Sequence, residues 1–387
     1  YQFPSLSHIT YKGLPAIFAD ALPDDFGNAV INAWLARQGR DSSSFTAVER
    51  LLYTHKRAMG ALEFIPALDQ NKTKSHSIEL NSLVELAQQV LNERSTLKEN
   101  IGAQKENTSA MTSIMQVGTS AGGARAKAVI AINKDRSDIR SGQIDAPKGY
   151  EHFLLKLDGV EEHKINNETF GDPKGYGAME YAYYLMAKDS GINMSHCEIL
   201  KEGKRAHFLT KRFDRTGNQK HHYLSLCAMD HADFKQPGSY SYEQLLSVAR
   251  TLKLPREDAI EIFRRMVFNI IARNHDDHSK NFGFILKDKN SKWRLSPAFD
   301  IAYSYKPGSK WVNDHQLSLN GKRDHFTKSD LLEFSKLIHN FSDAQKIIDQ
   351  VVDVVSKWQE YAEKAGVFES IKNKIQSNLR IGTEFDW

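Results

Sequence analysis

The densest polar chemistry in the chain is the run "NHDDHSKN", residues 274–281, set between the apolar stretch "EDAIEIFRRMVFNIIAR" and the alternating run "NFGFIL". Charges this dense beside core-forming residues are costly to hold without a task. The run offers Asp276 and, after four intervening residues, Asn281; Asp300 closes the segment "SPAFD" downstream. A carboxylate that orients and deprotonates a hydroxyl, with hard oxygen donors that hold Mg2+ against nucleotide phosphates, is the equipment of phosphoryl transfer. The protein-kinase pattern spaces its catalytic Asp and metal-binding Asn in the same way.

Two other readings stand beside this one. His275 and His278 could begin a zinc site, but one turn supplies only that pair, with no Cys or helical H-E-x-x-H to complete the shell. The bland reading is a solvated loop, which the adjoining buried segments oppose.

The elements around the run must position these groups. Ile260, Phe263, Val267 and Ile270 fall on one face and predict a buried helix. "NFGFIL" and "KWRLSPAFD" predict a hairpin across "KDKNSK". The order helix, polar loop, hairpin brings Asp300 back beside Asp276 and Asn281. Upstream, Gly122 and Gly123 in "VGTSAGGARAK" let backbone N–H groups approach a phosphate. Gly122, Gly123, Ala124, Arg125, Ala126 and Lys127 are therefore read as a phosphate loop, although the run is neither a Walker A motif nor G-x-G-x-x-G and an ordinary turn is the alternative. Lys156, ending "HFLLK", comes in the right order to reach the α- and β-phosphates. Glu180 on the helical run "GAMEYAYYL" is available to that lysine, and "TKRFDR", residues 210–215, ends the strand-rich third.

Elsewhere the chain alternates in texture. "LPDDFGNAVINAWLARQGR" and "SIELNSLVELAQQVLNE" predict amphipathic helices, residues 101–112 a polar linker, and "CEILKEGKRAHFLTKRFDR" a hairpin turning at Glu202-Gly203. "SDAQKIIDQVVDVVSKWQEYAEKAG" predicts one amphipathic helix near the end. The formal charge of +4 over 387 residues permits a local basic patch but does not announce nucleic acid as the main ligand. The two cysteines, Cys197 and Cys227, form no C-x-x-C pair, which points to a reducing compartment and to small core residues. No apolar run approaches the ~18 residues of a membrane span, so the expectation is a cytoplasmic protein with no membrane partner.

These motifs together resemble the HipA family of bacterial serine/threonine kinases, the toxin partners of HipBA-type modules. The family's N-x-D-x-H-x-K-N stretch stands here as "NHDDHSKN", its metal segment as "SPAFD" at 296–300, its hinge as "KRFDR" at 211–215, and its loop as "SAGGARAK" at 120–127. "GLPAIFADALPDDFGNAVINAWLARQGR" is also similar to the family's N-terminal part. The resemblance implies Asp276 as catalytic base, Asn281 and Asp300 as Mg2+ ligands, Lys156 on the phosphates, and His278 and Lys280 lining the nucleotide site. It further implies that the backbone of Lys211, Arg212 and Phe213 holds adenine and that Ser120 is an autophosphorylation site. The cofactors implied are ATP and Mg2+. The partners implied are a HipB-like DNA-binding antitoxin, through which DNA is mainly met, and a protein substrate, with aminoacyl-tRNA synthetases as the family's example. A small β-rich piece ahead of Tyr1 is also expected, either removed from this chain or supplied by another polypeptide. Lys211 stands where the family's hinge carries an acidic residue.

The expectation is an α+β, two-lobed kinase-like fold. Residues 1–110 form an α-rich subdomain, 111–215 a strand-rich lobe with the glycine-rich loop, and 216–387 a helical lobe with the catalytic loop and metal hairpin. The reaction expected is transfer of the γ-phosphate of Mg-ATP to a protein hydroxyl. A catalytically weak co-repressor of a DNA-binding antitoxin, and a small-molecule or lipid kinase, are the alternatives.

Overall fold

The computed structural model describes residues 5–67, 77–96, 125–165, 168–172, 174–382 and 385–387. The chain divides into two compact units that interleave along the sequence. Residues 21–177 and 196–221 form a sheet unit; residues 1–20, 178–195 and 222–387 form a helical unit.

The sheet unit is built on β1 (Lys127–Ile132), β2 (Ile139–Ser141), β3 (Glu151–Lys156), β4 (Val160–Ile165), β5 (Glu168–Asp172), β6 (Cys197–Glu202) and β7 (Arg205–Lys211). Five of these make an antiparallel sheet in the order β2-β1-β3-β7-β6, and β4 pairs with β5. Alternation along the strands gives the sheet an apolar face: Ala128, Ile130, Ile132, Phe153, Leu155 and Leu209 are all buried. They join one core with Phe26, Val30, Ile31 and Leu35 of helix Asp25–Arg37 and with Leu83, Val84, Ala87 and Val90 of helix Leu80–Thr96. Asp24 caps the first of these helices by accepting from Gly27 N at 2.5 Å. The hairpin β6–β7 turns as the sequence predicts, pairing Glu202 with Arg205. Register sets Lys127 opposite Lys156, and Lys156 opposite Phe208.

The helical unit is organised around helix Arg256–Ile271. Glu257 and Asp258 sit in its first turn, and Phe263, Met266, Val267, Ile270 and Ile271 are fully buried. It packs against helices Tyr242–Thr251, Lys328–Lys336 and Ala344–Ser356. Beyond the short pair β8 (Arg215–Thr216) and β9 (Gln219–Lys220) of the sheet unit, β10 (His222–Ser225), β11 (Gly283–Leu286) and β12 (Arg294–Leu295) form a three-stranded sheet in that order. The predicted hairpin is present, with Phe284 opposite Leu295 and Ile285 opposite Arg294.

One helix differs from expectation. The single helix read in "SDAQKIIDQVVDVVSKWQEYAEKAG" breaks at Lys357 into Ala344–Ser356 and Trp358–Ala365. Trp358 is fully buried and its indole N–H donates to Lys372 O at 3.0 Å, so seating that side chain overrides the continuous period. Among the described residues no helix is long and apolar enough to cross a membrane.

Candidate active site

The polar run begins where helix Arg256–Ile271 stops. Arg273 takes a left-handed φ of 56°, and its guanidinium reaches Asn378 O at 2.8 Å. Backbone bonds then pin the loop: Asn274 N to Asn269 O (2.9 Å), His275 N to Ser304 O (3.2 Å), and Cys227 N to Ser279 O (3.2 Å). The loop is held at both ends and in the middle, so its side chains are fixed in alternate directions.

Asp276 and Asp277 show the alternation most sharply. The Asp276 side chain is 41% exposed, with His278 Nε2 3.7 Å from its carboxylate. Asp277 is buried and accepts from Tyr242 Oη (2.6 Å), His315 Nδ1 (2.8 Å) and Gln316 N (2.7 Å). Burial pushes the Asp277 carboxyl up to about 6, and the donors from Tyr242 and Gln316 pull it back. Burial holds His315 and His275 well below the usual imidazole range, so both rings are neutral. His275 donates through Nδ1 to Asn313 O at 3.1 Å and lies 4.1 Å from the His315 ring. His278 instead lies 5.5 Å from the Phe234 ring. The two histidines that could have begun a zinc site thus have separate partners.

Asn281 donates through Nδ2 to Asp276 O at 2.7 Å, which orients its amide and leaves Oδ1 as the acceptor. The segment carrying Asp300 is held by three contacts: Ser296 N to Gly283 O (2.9 Å), Ala298 N to Asn193 O (2.8 Å), and Arg265 to Ser296 O (2.9 Å). Asp300 itself has φ 55°, a conformation that L-residues adopt at a cost of about 1–2 kcal/mol. Strained backbone of this kind concentrates at functional positions. Asn281 and Asp300 line the same cavity, with Arg265, Asn269, Asn274 and Asp277 among its other walls. The cavity holds about 10 Å³, the room one water or bare ion needs. A carboxylate and an amide oxygen at an ion-sized cavity suit a hard cation such as Mg2+.

Lys280, the one lysine of the run, has its Nζ 3.9 Å from Asp20 Oδ1 and 5.1 Å from the Phe234 ring. Asp20 is fixed by Ser225 N (2.8 Å) and Ser225 Oγ (2.6 Å). Asp20, Tyr242, Asp277, His315 and Arg265 were not singled out by the sequence. The pair Asp276-Asp277 carried a signal, but only the fold decides which carboxylate turns inward.

The remaining expected positions lie in the sheet unit, apart from Glu180. Gly122, Gly123, Ala124 and Ser120 fall outside the described residues. Arg125 lies 5.2 Å from the Tyr176 ring, and Ala126 O accepts from Leu157 N at 3.1 Å. Lys127 is buried with Nζ 3.5 Å from Asp24 Oδ2. Lys156 is buried, with Nζ 5.9 Å from the Phe208 ring. Glu180 is buried on helix Tyr176–Asp189, in the helical unit. In the hinge stretch, Lys211 N donates to His196 O (2.8 Å) and Arg212 N to His152 O (2.9 Å), so two of its N–H groups are used by the sheet. The Arg212 side chain is also occupied, donating to both oxygens of Asp214 at 2.9 and 2.7 Å. Arg215 and the Gly60 N–H also donate to Asp214, each at 2.7 Å. Burial alone would raise the Asp214 carboxyl, but the two guanidinium groups overcome it and hold it at about 2. The arginines of "KRFDR" are therefore spent on fastening residues 58–60.

A family model described as the HipA-like C-terminal domain matches residues 119–358, and one described as the HipA N-terminal domain matches residues 2–65. The chain belongs to the HipA family. Among solved structures, it is similar to HipA of Shewanella oneidensis MR-1, solved in a complex with HipB and its operator DNA. That match has 14% identity and a TM-score of 0.62, and covers 95% of this chain and 83% of that one. The proinflammatory kinase CtkA of Helicobacter pylori matches at 12% identity and a TM-score of 0.37, over 59% of this chain and 88% of that one. The likeness to the Shewanella protein shows the fold, the α+β one expected of a HipA protein. Within that frame Asp276, Asn281 and Asp300 lie in the C-terminal HipA match, whereas Asp20, the partner of Lys280, lies in the N-terminal one.

Proposed function

We propose that this HipA-family protein transfers the γ-phosphoryl group of Mg-ATP to a serine or threonine hydroxyl of another protein. The observation that carries the reading is the disposition of three side chains on one loop and hairpin. The Asp276 side chain is part-exposed, Asn281 is tied to the Asp276 carbonyl at 2.7 Å, and Asn281 shares an ion-sized cavity with Asp300.

In this reading Asp276 orients the acceptor hydroxyl and takes its proton as the oxygen bonds to the γ-phosphorus and ADP leaves. Asn281 Oδ1 and the Asp300 carboxylate would hold Mg2+, which supplies charge neutralisation on the β- and γ-phosphates. The phosphates fall to Lys156 and Arg125 and to the expected loop of Gly122, Gly123, Ala124 and Ala126, while the Lys127 ammonium faces Asp24. Lys280 and His278 line the nucleotide site. Adenine falls to the backbone of Lys211, Arg212 and Phe213, in which the N–H groups of Lys211 and Arg212 are engaged by the sheet. Ser120 is the autophosphorylation site of this reading.

The similar Shewanella HipA was solved with HipB and operator DNA. That supports a HipB-like antitoxin as the partner here, with this chain as the toxin of a toxin–antitoxin module. An aminoacyl-tRNA synthetase is the protein substrate that family resemblance favours. The test is incubation of the full chain with γ-labelled ATP, Mg2+ and a cell lysate, with mass spectrometry of every labelled protein. Label on serine or threonine with the wild type and none with Asp276→Asn is expected. No label with either protein would overturn the kinase reading in favour of a catalytically weak co-repressor.

A further inference from the structure

Asn274 opens the polar run, yet the proposed reaction gives it no part. Its N–H donates to Asn269 O at 2.9 Å, and the residue bridges to Ser304, just beyond Asp300. His275 N to Ser304 O at 3.2 Å and Ser304 N to Arg273 O at 3.1 Å make that bridge. Asn274 is thereby fixed against the segment that follows Asp300. Both residues line the ion-sized cavity, together with Asn281.

A chain of hydrogen bonds decides which end of the Asn274 amide is spent. It terminates at Asp277, a carboxylate that takes donors from Tyr242 Oη, His315 Nδ1 and Gln316 N. The Tyr242 hydroxyl gives its one proton to Asp277, so toward Asn269 it can only accept, and Asn269 Nδ2 lies at 3.2 Å. The Asn269 amide therefore presents Oδ1 to Asn274, which meets it with Nδ2 at 2.9 Å. Oδ1 of Asn274 is left over. The residue is 3% exposed, and that oxygen has no hydrogen-bond partner among the described residues. A buried carbonyl oxygen without a donor is costly, and a hard cation is a group that satisfies it. The charge of the walls agrees. Asp277 and Asp300 bring two carboxylates to the cavity, whereas the Arg265 guanidinium is paired with Glu261 at 2.7 Å and donates to Ser296 O at 2.9 Å.

We propose that Asn274 Oδ1 is a third protein oxygen for the divalent cation, beside Asn281 Oδ1 and the Asp300 carboxylate. The inference rests on the kinase reading and enlarges its metal site. Hard cations gather oxygen ligands, and a neutral carbonyl adds one without a charge that nucleotide phosphates would oppose. The three oxygens come from the start of the run, from its end and from the segment after the hairpin. The hydrogen bonds that pin the loop therefore set their spacing.

Mn2+ is the probe, since carbonyl and carboxylate oxygens suit it as they suit Mg2+, and its unpaired electrons report on nearby nuclei. The full chain, labelled with carbon-13 at the side-chain carbonyl of asparagine, is loaded with Mn2+ and a non-hydrolysable ATP analogue. Electron–nuclear double resonance should show a ligand-sized carbon coupling in the wild type. That coupling should persist in Asn281→Ala, where Asn274 is untouched, and vanish when Asn274→Ala is added. Its loss in Asn281→Ala alone would overturn the proposal and leave Asn281 as the asparagine on the metal. No such coupling in the wild type would remove the metal reading of Asn281 together with the proposal. Affinity gives a second readout, from the free Mn2+ signal in a titration. Asn274→Ala should bind Mn2+ about ten- to a hundredfold more weakly than the wild type. A folded Asn274→Ala protein that binds Mn2+ as tightly as the wild type would also overturn the proposal.

Discussion

Asp20 Oδ1 and Lys280 Nζ lie 3.9 Å apart, which ties the N-terminal segment to the catalytic run. The carboxylate is the fixed member: its side chain is 9% exposed and takes two bonds from Ser225, whereas Lys280 is 26% exposed. Tyr11 Oη to Cys227 O, at 3.0 Å, and Thr10 to Asp233 reinforce the same seam. Residues 7–20 thus brace the loop from which phosphoryl transfer is proposed to proceed.

Asp20→Asn keeps an acceptor for Ser225 but removes the charge that holds Lys280. The transfer rate should fall about ten- to a hundredfold, as misplacement of a site group does. ATP affinity and the unfolding midpoint should stay put. Steady-state transfer over an ATP titration separates these. A pure rise in KM would make Asp20 part of nucleotide binding and not a positioning residue.

The neighbouring carboxylates of the loop should respond oppositely to removal. Asp276→Asn alters an exposed group, so stability should move by less than about 0.5 kcal/mol while transfer drops about 10²–10⁴-fold. Asp277→Ala leaves Tyr242, His315 and Gln316 N without their shared acceptor. It should destabilise the helical unit by about 3 kcal/mol. Denaturant unfolding followed by circular dichroism decides between them, and a destabilised Asp276→Asn protein would reverse the assignment.

Nucleotide binding should need a divalent cation, because Asn281 and Asp300 can engage phosphate oxygens only through one. Calorimetric titration with ATP in Mg2+ and in EDTA gives the reading. Affinity should drop in EDTA, and Asp300→Ala should bind ATP equally weakly in both. Undiminished affinity of the wild type in EDTA would remove Asn281 and Asp300 from the metal role.

Much of this arrangement was legible because it is local. The helix before the loop, the hairpin after it and the β6–β7 hairpin follow from period and turn residues within short windows. What the sequence hid is set by distant pairing. Asp20 meets Lys280 and His315 meets Asp277 across long stretches of chain, and no period marks either. The hinge shows the same limit: the sequence marks its backbone, while the Arg212 and Arg215 side chains are engaged by Asp214 and by the carbonyls of residues 58 and 60, 154 and 155 residues away, which leaves no local pattern. Lys127 likewise meets a distant partner, Asp24, that its place after the expected phosphate loop does not announce.

Gly283 lets the β11–β12 hairpin lie against Tyr223. A Cβ there would stand 2.3 Å from Tyr223 Cε2, far inside contact distance. The Tyr223 ring in turn meets Phe299, next to Asp300, edge-on at 6.2 Å. Gly283→Ala should therefore destabilise by about 1–3 kcal/mol, as overpacking does. In a Tyr223→Ala background the same substitution should be nearly neutral. A double-mutant cycle by chemical denaturation measures the coupling, and independent effects would show that the ring is not what Gly283 accommodates.

Asp24 gives the sheet unit a pH signature. Its Oδ1 caps helix Asp25–Arg37, its Oδ2 faces Lys127, and its side chain is 6% exposed. Burial pushes the carboxyl up to about 6, with Lys127 and the Gly27 N–H pulling it back. An unfolded aspartate titrates near ~3.9, so the folded pKa is the higher one. The stability this group contributes is then full below about pH 4 and is lost as pH rises through about 6. Between pH 5 and pH 7 the loss should be about 1 kcal/mol. Asp24→Asn keeps a capping oxygen for Gly27 N and has nothing to titrate, so its unfolding free energy should change less over the same interval. Urea unfolding at the two pH values, for both proteins, measures the difference. An identical pH slope in the two would mean that Asp24 titrates as an ordinary carboxylate, and that Lys127 and the Gly27 N–H offset its burial in full.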